Sequence, residues 1–312
     1  MSFSLLNSLG KERTPFLFLS DFKAENIEVY PLETLHKHDI EFCIDENYSL
    51  QPHKEVLKKG TLDFQEYRKK FDKVIEKIEA GETYLLNLTQ ETPIESSLSL
   101  SEIYALANAP YKLRYKDEFV CFSPEKFIEI SENTIHTFPM KGTIDASLKD
   151  AKRKILADEK EMAEHVMIVD LLRNDLSIVA ENVHVKKFRY VQKIDSGAKS
   201  LLQVSSHICG SLQENWQDKI GSILEALLPA GSISGTPKKS TLKIIDEVEG
   251  YNRGYFSGVF GCFDGENFKS GVMIRFIEKG TNGLYYKSGG GITLDSRVAL
   301  EYNELQDKIY LP

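Results

Sequence analysis

Cysteine is scarce in this chain. Its four cysteines lie at positions 43, 121, 209 and 262 of 312 residues and form no C-x-x-C pair, a spacing that excludes a disulfide scaffold and does not suit zinc. Long apolar runs are absent as well. None reaches the roughly 18 residues that suggest a membrane span, and the N-terminus lacks the apolar core of a signal peptide. We therefore expect a cytoplasmic protein with reduced thiols and no membrane partner.

An excess of positive charge is also missing. The 39 lysines and arginines are outnumbered by 47 aspartates and glutamates, for a formal charge of −8, which argues against a nucleic-acid partner. With 41% apolar and 28% charged residues, the composition is that of an ordinary globular protein. There is no internal repeat, low-complexity tract or Pro/Ser-rich linker, so residues 1–312 are predicted to form a single domain.

The hydrophobic pattern predicts an α+β fold. Strands are expected at 16–19, 27–30 and 40–44, followed by a helix over 64–78 whose apolar residues recur at helical spacing. Further strands are predicted at 83–90, 120–130, 134–138, 183–190, 258–263, 271–278 and 284–288, and further helices at 148–176, 222–228, 236–248 and 296–310. Thr236 is the predicted N-cap of its helix. Because strands and helices do not alternate regularly, a βαβ chain is disfavoured.

Two segments concentrate carboxylates. Glu161 and Glu164 lie three residues apart on one predicted helix face, and Glu301, Glu304 and Lys308 form one stripe of the last helix. Acidic helix faces are usually solvated, and ion pairs within a helix are the usual explanation of such stripes. The alternative is that Glu164 meets the carboxylates of the last helix around one hard cation, for which Mg²⁺ is the natural candidate.

Two glycine-rich segments and two isolated ionisable residues complete the candidates. The run SGGGI at 288–292 is either a plain turn or a place where backbone N–H groups approach a ligand. The segment PAGSISGTPK at 229–238 suits an anion-facing loop but is not a Walker A loop. Lys141 in FPMKGT is a candidate nucleophile that would need a lowered pKa. Glu125 in SPEKF is a candidate general acid or base.

The order of these motifs resembles the chorismate-utilising enzymes. SPEKF, FPMKGT, AEHVMIVDLLRND, PAGSISGTPK, SGGGI and EYNELQDK follow one another as in that family, and the similarity extends over residues 64–312. The resemblance implies a fold of large, mostly antiparallel sheets in a sandwich flanked by helices. It further implies that residues 61–312 form the catalytic core, with 1–60 as a shortened N-terminal strand region packed on it.

The resemblance also implies roles for single residues. Glu164 and Glu304 are implied magnesium ligands, with Glu301 close by, and Mg²⁺ would anchor the ring carboxylate of chorismate. Carboxylate partners are implied at Arg275 and Lys308. Backbone donors are implied at Gly289 and Gly290, and further substrate contacts at Ser234 and Gly235.

Two positions bear on which reaction is catalysed. Isochorismate- and salicylate-forming members carry a lysine where this chain has Leu85, and a leucine cannot activate water. Members that form anthranilate resemble P-I-A-G-T where this chain has PMKGT. Lys141 therefore favours the members that aminate chorismate at C4 through a covalent lysine adduct, with Glu125 as the acid. Three departures from the family concern substrate positioning: Gln203 in place of a histidine of the anthranilate-forming members, Phe256 in place of a tyrosine of many members, and Leu85 in place of a glutamine common in the amino-transferring members.

The nitrogen source is expected on another chain. No segment has a plausible glutaminase Cys and His, so ammonia would come from a separate glutaminase subunit, and there is no room for a pyridoxal-phosphate lyase domain. Two alternatives stay open at this point. One is anthranilate formation, and the other is a catalytically inactive module that binds chorismate.

Overall fold

The structure is a computed structural model that describes residues 2–44, 57–195 and 200–311. Its helices are α1 (Phe3–Lys11), α2 (Phe64–Glu79), α3 (Leu100–Leu106), α4 (Ala151–Ala157), α5 (Glu159–Ser177), α6 (Ile220–Leu227), α7 (Lys238–Glu249) and α8 (Val298–Asp307). Its strands are β1 (Phe16–Ser20), β2 (Ile27–Pro31), β3 (Ile40–Ile44), β4 (Lys58–Lys59), β5 (Leu85–Glu95), β6 (Tyr111–Tyr115), β7 (Phe119–Ser123), β8 (Lys126–Ser131), β9 (Thr134–Thr137), β10 (Met140–Asp145), β11 (Glu181–Asp195), β12 (Ser200–Ser211), β13 (Gly235–Thr236), β14 (Val259–Phe263), β15 (Phe268–Val272), β16 (Phe276–Gly280) and β17 (Gly283–Ile292).

The strands build two antiparallel sheets. The first has the order β10-β12-β9-β8-β15-β14-β1-β2, with β11 on the other edge of β12. The second has the order β13-β5-β17-β16-β7-β6-β3, with β4 beside β5. Strands β1 and β2 thus extend the first sheet and β3 the second; residues 45–56 of the N-terminal region lie outside the described ranges. The predicted α+β class with large antiparallel sheets is confirmed.

Alternation along the strands divides the core into layers. On β1, Leu17 and Leu19 pack with Tyr111, Phe119 and residues of both sheets, which forms the layer between them. The other face of β1 packs against the helices that cover the outer side of the first sheet. The outer face of the second sheet is covered by α3 and its neighbours. The sheets therefore form a sandwich flanked by helices, as the family resemblance implies.

Several predicted elements differ from the observed ones. The predicted strand 120–130 is two strands, β7 and β8, which belong to different sheets. The predicted meander of 258–288 is likewise divided, because β14 and β15 lie in the first sheet and β16 and β17 in the second. In both places the chain crosses from one sheet to the other, and hydrophobic periodicity carries no signal for such a crossing.

The predicted helix 148–176 is also two helices. It is interrupted at Asp158, which has extended backbone angles and whose side chain accepts a hydrogen bond from the Glu161 N–H, so that it caps α5. Helix α7 begins at Lys238 after Pro237, and Thr236 lies in β13, so the predicted Thr236 N-cap is wrong. Helix α1 was not predicted. It packs closely on α6, because a Cβ on Gly221 would lie 1.9 Å from the Phe3 carbonyl oxygen.

Candidate active site

A cavity of about 530 Å³ lies where the two sheets exchange strands, beside the start of α5 and the end of α8. Its wall is rich in ionisable side chains. Those that line it are Glu125, Lys141, Lys160, Glu161, Glu164, Arg275, Glu301, Glu304, Asp307 and Lys308. The fold thus brings together all seven predicted ionisable site residues, which lie up to 183 positions apart along the chain (Glu125 to Lys308).

The two crossings between the sheets supply opposite charges. Glu125 lies in the crossing from β7 to β8, and Arg275 in the crossing from β15 to β16. Two backbone hydrogen bonds stabilise the crossings. The Val272 N–H donates to the Glu125 carbonyl, and the Phe122 N–H donates to the Arg275 carbonyl. Arg275 has φ of 53°, a strained conformation for a non-glycine residue that is common at functional sites.

Lys141 reaches the cavity from an irregular stretch of β10. The pairing of β10 with β12 shifts register between Met140 and Thr143, and Gly142 there has φ of 88°, a conformation that favours glycine. A Cβ on Gly142 would lie 3.0 Å from Glu161 Oε2. Glycine is therefore favoured by the backbone conformation, and this irregular stretch brings Lys141 Nζ to 2.6 Å from Glu164 Oε2.

The charge state of Lys141 differs from the expectation. Burial alone would lower its pKa, but the carboxylates of Glu164, Glu161 and Glu304 outweigh burial and raise the pKa above the ordinary lysine value. In the ligand-free protein Lys141 is therefore an ammonium. The lowered pKa expected of a nucleophile is wrong for this state, because the sequence does not show how many carboxylates face the lysine.

The acidic wall combines α5 and α8. Glu164 is 3% exposed and Glu301 6% exposed. Lys160 Nζ lies 3.6 Å from Glu164 Oε1 and 3.5 Å from Glu301 Oε1. Glu161 Oε2 and Glu164 Oε1 are buried and have no hydrogen-bond partner among the described residues. Burial raises the pKa of Glu161. Lys160 was not predicted as a site residue, although it lies in the same helical turn as Glu161.

This wall fits a magnesium ion by its chemistry. Hard cations prefer carboxylate oxygens and keep several waters, and two buried carboxylate oxygens here lack a hydrogen-bond donor. Within the described ranges no three acidic, histidine or cysteine side chains already converge as a metal-binding group, so bound water and substrate would complete the coordination. Six carboxylates face four cations. This net formal charge of −2 disfavours the binding of a ligand with two negative charges unless a cation binds together with that ligand.

Glu125 is held by a residue that the sequence reading missed. The Ser232 hydroxyl donates to Glu125 Oε1 over 2.5 Å. Burial raises the pKa of Glu125, and the Ser232 hydrogen bond and the positive charges of Arg275, Lys308 and Lys141 reduce that rise. A carboxyl with a raised pKa suits a general acid. The loop of Ser232 was recognised as glycine- and serine-rich, but its contact with a residue 107 positions away has no local signal.

Ser234 and Gly235 do not reach the cavity wall. The Ser234 hydroxyl is buried and donates to the carbonyl of Ala230 at 2.9 Å. Gly235 lies in β13, paired with Leu86, and a Cβ there would lie 2.0 Å from the Leu85 carbonyl oxygen. Both residues shape the loop that presents Ser232, so the structure does not bring the two predicted substrate contacts to the site.

The three glycines form part of strand β17, not a turn. Gly289, Gly290 and Gly291 pair with Thr89, Leu88 and Asn87 of β5. The backbone N–H groups of Thr89 and Asn87 point away from β17, to Glu249 and to the Ser234 carbonyl. In an antiparallel pair this alternation directs the Gly289 and Gly291 N–H groups outward and the Gly290 N–H toward β5. Gly291, not Gly290, lines the cavity.

Arg275 and Lys308 form the cationic side. Arg275 lies over the ring of Tyr310 at 5.2 Å, and its buried Nε has no hydrogen-bond partner among the described residues. Lys308 Nζ donates to the Gly289 carbonyl over 2.7 Å and lies 2.8 Å from Glu304 Oε1. Burial lowers the pKa of Lys308 despite Glu304. Tyr310 lines the cavity and was not predicted.

Of the positions that bear on reaction type, Leu85 and Gln203 lie at the cavity. Leu85 is buried, and its Cδ1 lies 3.9 Å from the position of a Cβ on Gly291, so it adjoins the cavity without a basic group. Gln203 lines the cavity. His207 pairs with His136 at 3.0 Å and is not among the residues that line the cavity. Phe256 is buried in the layer between the sheets.

Comparison with known proteins identifies the family. Residues 21–311 match the family described as chorismate binding enzyme, so the chain belongs to the chorismate binding enzymes. It is a chorismate-utilising enzyme, and the family resemblance read from the sequence is confirmed.

The chain is 50% identical over 310 residues to a Haemophilus influenzae protein named Uncharacterized PabA-like protein, with 98% of this chain and 94% of that one covered. It is 31% identical to aminodeoxychorismate synthase component 1 of Klebsiella aerogenes, with 80% of this chain and 58% of the relative covered. It is also 31% identical to anthranilate synthase component 1 of Archaeoglobus fulgidus, with 82% and 62% covered.

Solved structures agree on the fold. MenF, the menaquinone-specific isochorismate synthase of Escherichia coli, superposes with a TM-score of 0.74 at 15% identity over 97% of this chain and 79% of MenF. A putative isochorismate synthase, DhbC, of Bacillus anthracis gives 0.72 at 19% identity over 98% and 88%. At these identities the likeness shows the architecture alone.

Within the described ranges, no helix is both long and apolar enough to cross a membrane.

Proposed function

We propose that this chain is component I of an aminodeoxychorismate synthase, which converts chorismate and ammonia to 4-amino-4-deoxychorismate for p-aminobenzoate and folate synthesis. The observation that carries the proposal is that Lys141 lines the same cavity as Glu125 and the acidic wall. A lysine nucleophile, a buried acid and a carboxylate cluster are the groups that a covalent amination at C4 requires.

In the first half-reaction, neutral Lys141 Nζ forms a bond to ring carbon C2. The two ring double bonds shift, the C4–O bond breaks, and the hydroxyl takes a proton from Glu125 and leaves as water. Lys141 must first lose a proton. Glu161 is suited to accept it, because its Oε2 has no hydrogen-bond partner and burial raises its pKa.

In the second half-reaction, ammonia adds at C4, the double bonds shift back and the C2–N bond to Lys141 breaks. The added nitrogen returns a proton to Glu125, so the net change is exchange of the C4 hydroxyl for an amine. Dividing one difficult substitution into two is the advantage of a covalent intermediate. Ammonia would be delivered by a separate glutaminase subunit.

Substrate binding is assigned to both charged sides of the cavity. Arg275, Lys308 and the outward N–H groups of Gly289 and Gly291 would hold one carboxylate of chorismate. A magnesium ion held by Glu164 and Glu304, with Glu301 close by, would bind the ring carboxylate and neutralise the acidic wall. Ser232 would keep Glu125 oriented toward the C4 hydroxyl.

The test is a turnover assay with chorismate, Mg²⁺ and an ammonium salt, run on the wild type and on Lys141→Ala. The C4-aminated product, identified by mass and by conversion to p-aminobenzoate with an added lyase, should form only with the wild type. Full formation of that product by Lys141→Ala would remove the nucleophile role. Absence of chorismate consumption by a wild type that binds chorismate would favour the inactive binding module.

Anthranilate synthase component I is the second candidate, favoured by the equal 31% identity to a relative of that name. The same assay separates the two, since anthranilate is fluorescent and forms without an added lyase. Lys141 supports amination at C4 over anthranilate formation, because a fixed nucleophile at C2 blocks the ring carbon at which ammonia would have to remain.

A further inference from the structure

Lys160 bridges the two helices that build the acidic wall. Its Nζ lies 3.6 Å from Glu164 Oε1 on α5 and 3.5 Å from Glu301 Oε1 on α8. The two contacts are nearly equal, and both exceed a charge-assisted hydrogen bond of about 2.8 Å. The ammonium group is therefore centred between two carboxylates and bonded closely to neither.

The two carboxylate oxygens that face Lys160 are of the kind that hard cations prefer. Glu164 and Glu301 are 3% and 6% exposed, and Glu164 Oε1 has no hydrogen-bond partner among the described residues. The other oxygen of Glu164 is occupied by Lys141 at 2.6 Å. Lys160 thus covers the side of Glu164 that is open to a second cation.

The other two lysines of the cavity are held more firmly. Lys141 and Lys308 lie 2.6 and 2.8 Å from their carboxylate partners, and their side chains are each 25% exposed. The Lys160 side chain is 40% exposed and needs only a rotation about its flexible stem to place its ammonium in water. Of these three lysines, Lys160 is the one that can leave.

We propose that Lys160 is an internal counter-cation that occupies the metal position in the ligand-free enzyme and is displaced when a divalent ion binds. The inference rests on the magnesium site of the proposed function. It adds that the chain competes with its own metal, so that the charges of Glu164 and Glu301 are partly balanced when no metal is bound. The competition lowers the apparent affinity for the metal, because a divalent ion must first displace the ammonium that the same carboxylates attract.

The experiment measures divalent-ion binding, with no turnover required. Mn²⁺ serves as the probe, and free Mn²⁺ is followed by electron paramagnetic resonance, with and without chorismate. Lys160→Met removes the charge and keeps the length, Lys160→Arg keeps the charge, and Lys152→Met removes an exposed lysine of α4 as the matched control. Thermal unfolding in a chelator reports whether each variant is folded.

We expect Lys160→Met to bind Mn²⁺ at least about tenfold more tightly than the wild type without chorismate. Lys160→Arg and Lys152→Met should stay near the wild type. In the chelator Lys160→Met should melt lower, because the wall carboxylates then repel one another without a counter-cation. A purely structural bridge predicts the opposite sign for binding, so equal or weaker Mn²⁺ binding by a folded Lys160→Met overturns the inference while leaving the metal site itself intact.

Failure of the metal site gives a different result. If no protein in the set binds Mn²⁺ either with or without chorismate, the magnesium part of the proposed function is wrong, and the role of Lys160 is wrong with it. The two failures are therefore distinguishable, because at least one protein of the set binds Mn²⁺ in the first case and none binds it in the second.

Discussion

The Ser232 hydroxyl lies 2.5 Å from Glu125 Oε1 and donates a hydrogen bond to it. That bond stabilises the carboxylate form, so it holds the pKa of Glu125 below the value that burial alone would give. Ser232→Ala should therefore raise the pKa of Glu125 further. A general acid is active below its pKa and loses activity as the pH rises through it.

The expected outcome for Ser232→Ala is that the alkaline limb of the kcat profile moves to higher pH, with a lower kcat because the carboxyl is less well oriented. Ser240→Ala is the matched control, since that hydroxyl donates to the Pro237 carbonyl instead. A shift of the limb to lower pH, or no shift, would contradict the acid role of Glu125.

Two neighbouring glycines of β17 should respond differently to alanine. A Cβ on Gly289 would lie 2.6 Å from Thr89 Cγ2 and 2.7 Å from the Leu88 carbonyl oxygen, so Gly289→Ala should cost about 2 kcal/mol of stability through overpacking. A Cβ on Gly291 would lie 3.5 Å from Lys141 Nζ, which is ordinary contact. Gly291→Ala should fold normally and raise the KM for chorismate, because the methyl group enters the cavity.

Thermal unfolding and steady-state kinetics on the two variants check this division. If Gly291→Ala lost stability and kept its KM, the cavity face of β17 would be assigned wrongly.

The sequence predicts many of the residues that lie in this site, but few of the contacts between them. Lys141, Glu164 and Glu304 could be placed together in one candidate site because each lies in a long ordered motif, and all three line the cavity. Ser232 could not, because its partner Glu125 is 107 residues away and no local pattern records the contact. The raised pKa of Lys141 is a property of three carboxylates that meet only in the folded chain.

The glycine run illustrates a second limit. Consecutive glycines favour loops and turns on propensity, and here they form a strand because β5 supplies a continuous antiparallel partner. Tertiary pairing overrides the local preference. The break at Asp158 has a local cause instead, since a capping side chain divides a pattern that reads as one helix.

Replacement of Arg275 should weaken chorismate binding even when lysine takes its place. Its guanidinium lies over Tyr310 at 5.2 Å and its Nε has no hydrogen-bond partner within the described ranges, as expected of a group that awaits an anion. Lysine cannot reproduce bidentate binding or stacking. Arg275→Lys should raise the KM for chorismate about tenfold or more, the effect of losing one charge-assisted hydrogen bond, with a smaller change in kcat.

Steady-state kinetics measure this split between KM and kcat. Arg173→Lys, on an exposed arginine paired with Asp170, is the control and should behave as the wild type. A variant of Arg275 with unchanged KM and reduced kcat would assign the arginine to the transition state and not to substrate capture.

Glu28 links the two sheets through phenol groups. Strand β2 carries Glu28, which accepts hydrogen bonds from Tyr30, from Tyr115 of β6 at 2.7 Å and from Tyr255 at 2.7 Å. Burial alone would raise its pKa, but the hydrogen bonds from the three tyrosines outweigh burial, and the pKa of Glu28 is lowered. A carboxylate with a lowered folded-state pKa stabilises the protein above its unfolded-state pKa of about 4.3, and that stabilisation is lost as the pH falls through the lowered value.

Glu28→Gln should therefore reduce the free energy of unfolding by about 2 kcal/mol at pH 7, since hydrogen bonds to a charged group are lost and an amide replaces the acceptor. The difference from the wild type should shrink as the pH falls below about 4.3, because the unfolded chain then binds a proton that the folded carboxylate still resists. Urea unfolding at pH 7 and at pH 3.5 measures both values. Glu25→Gln, at an exposed position three residues earlier, provides the comparison for the loss of one negative charge. A pH-independent difference would mean that Glu28 acts through packing alone, because only a titrating carboxylate can lose its advantage in acid.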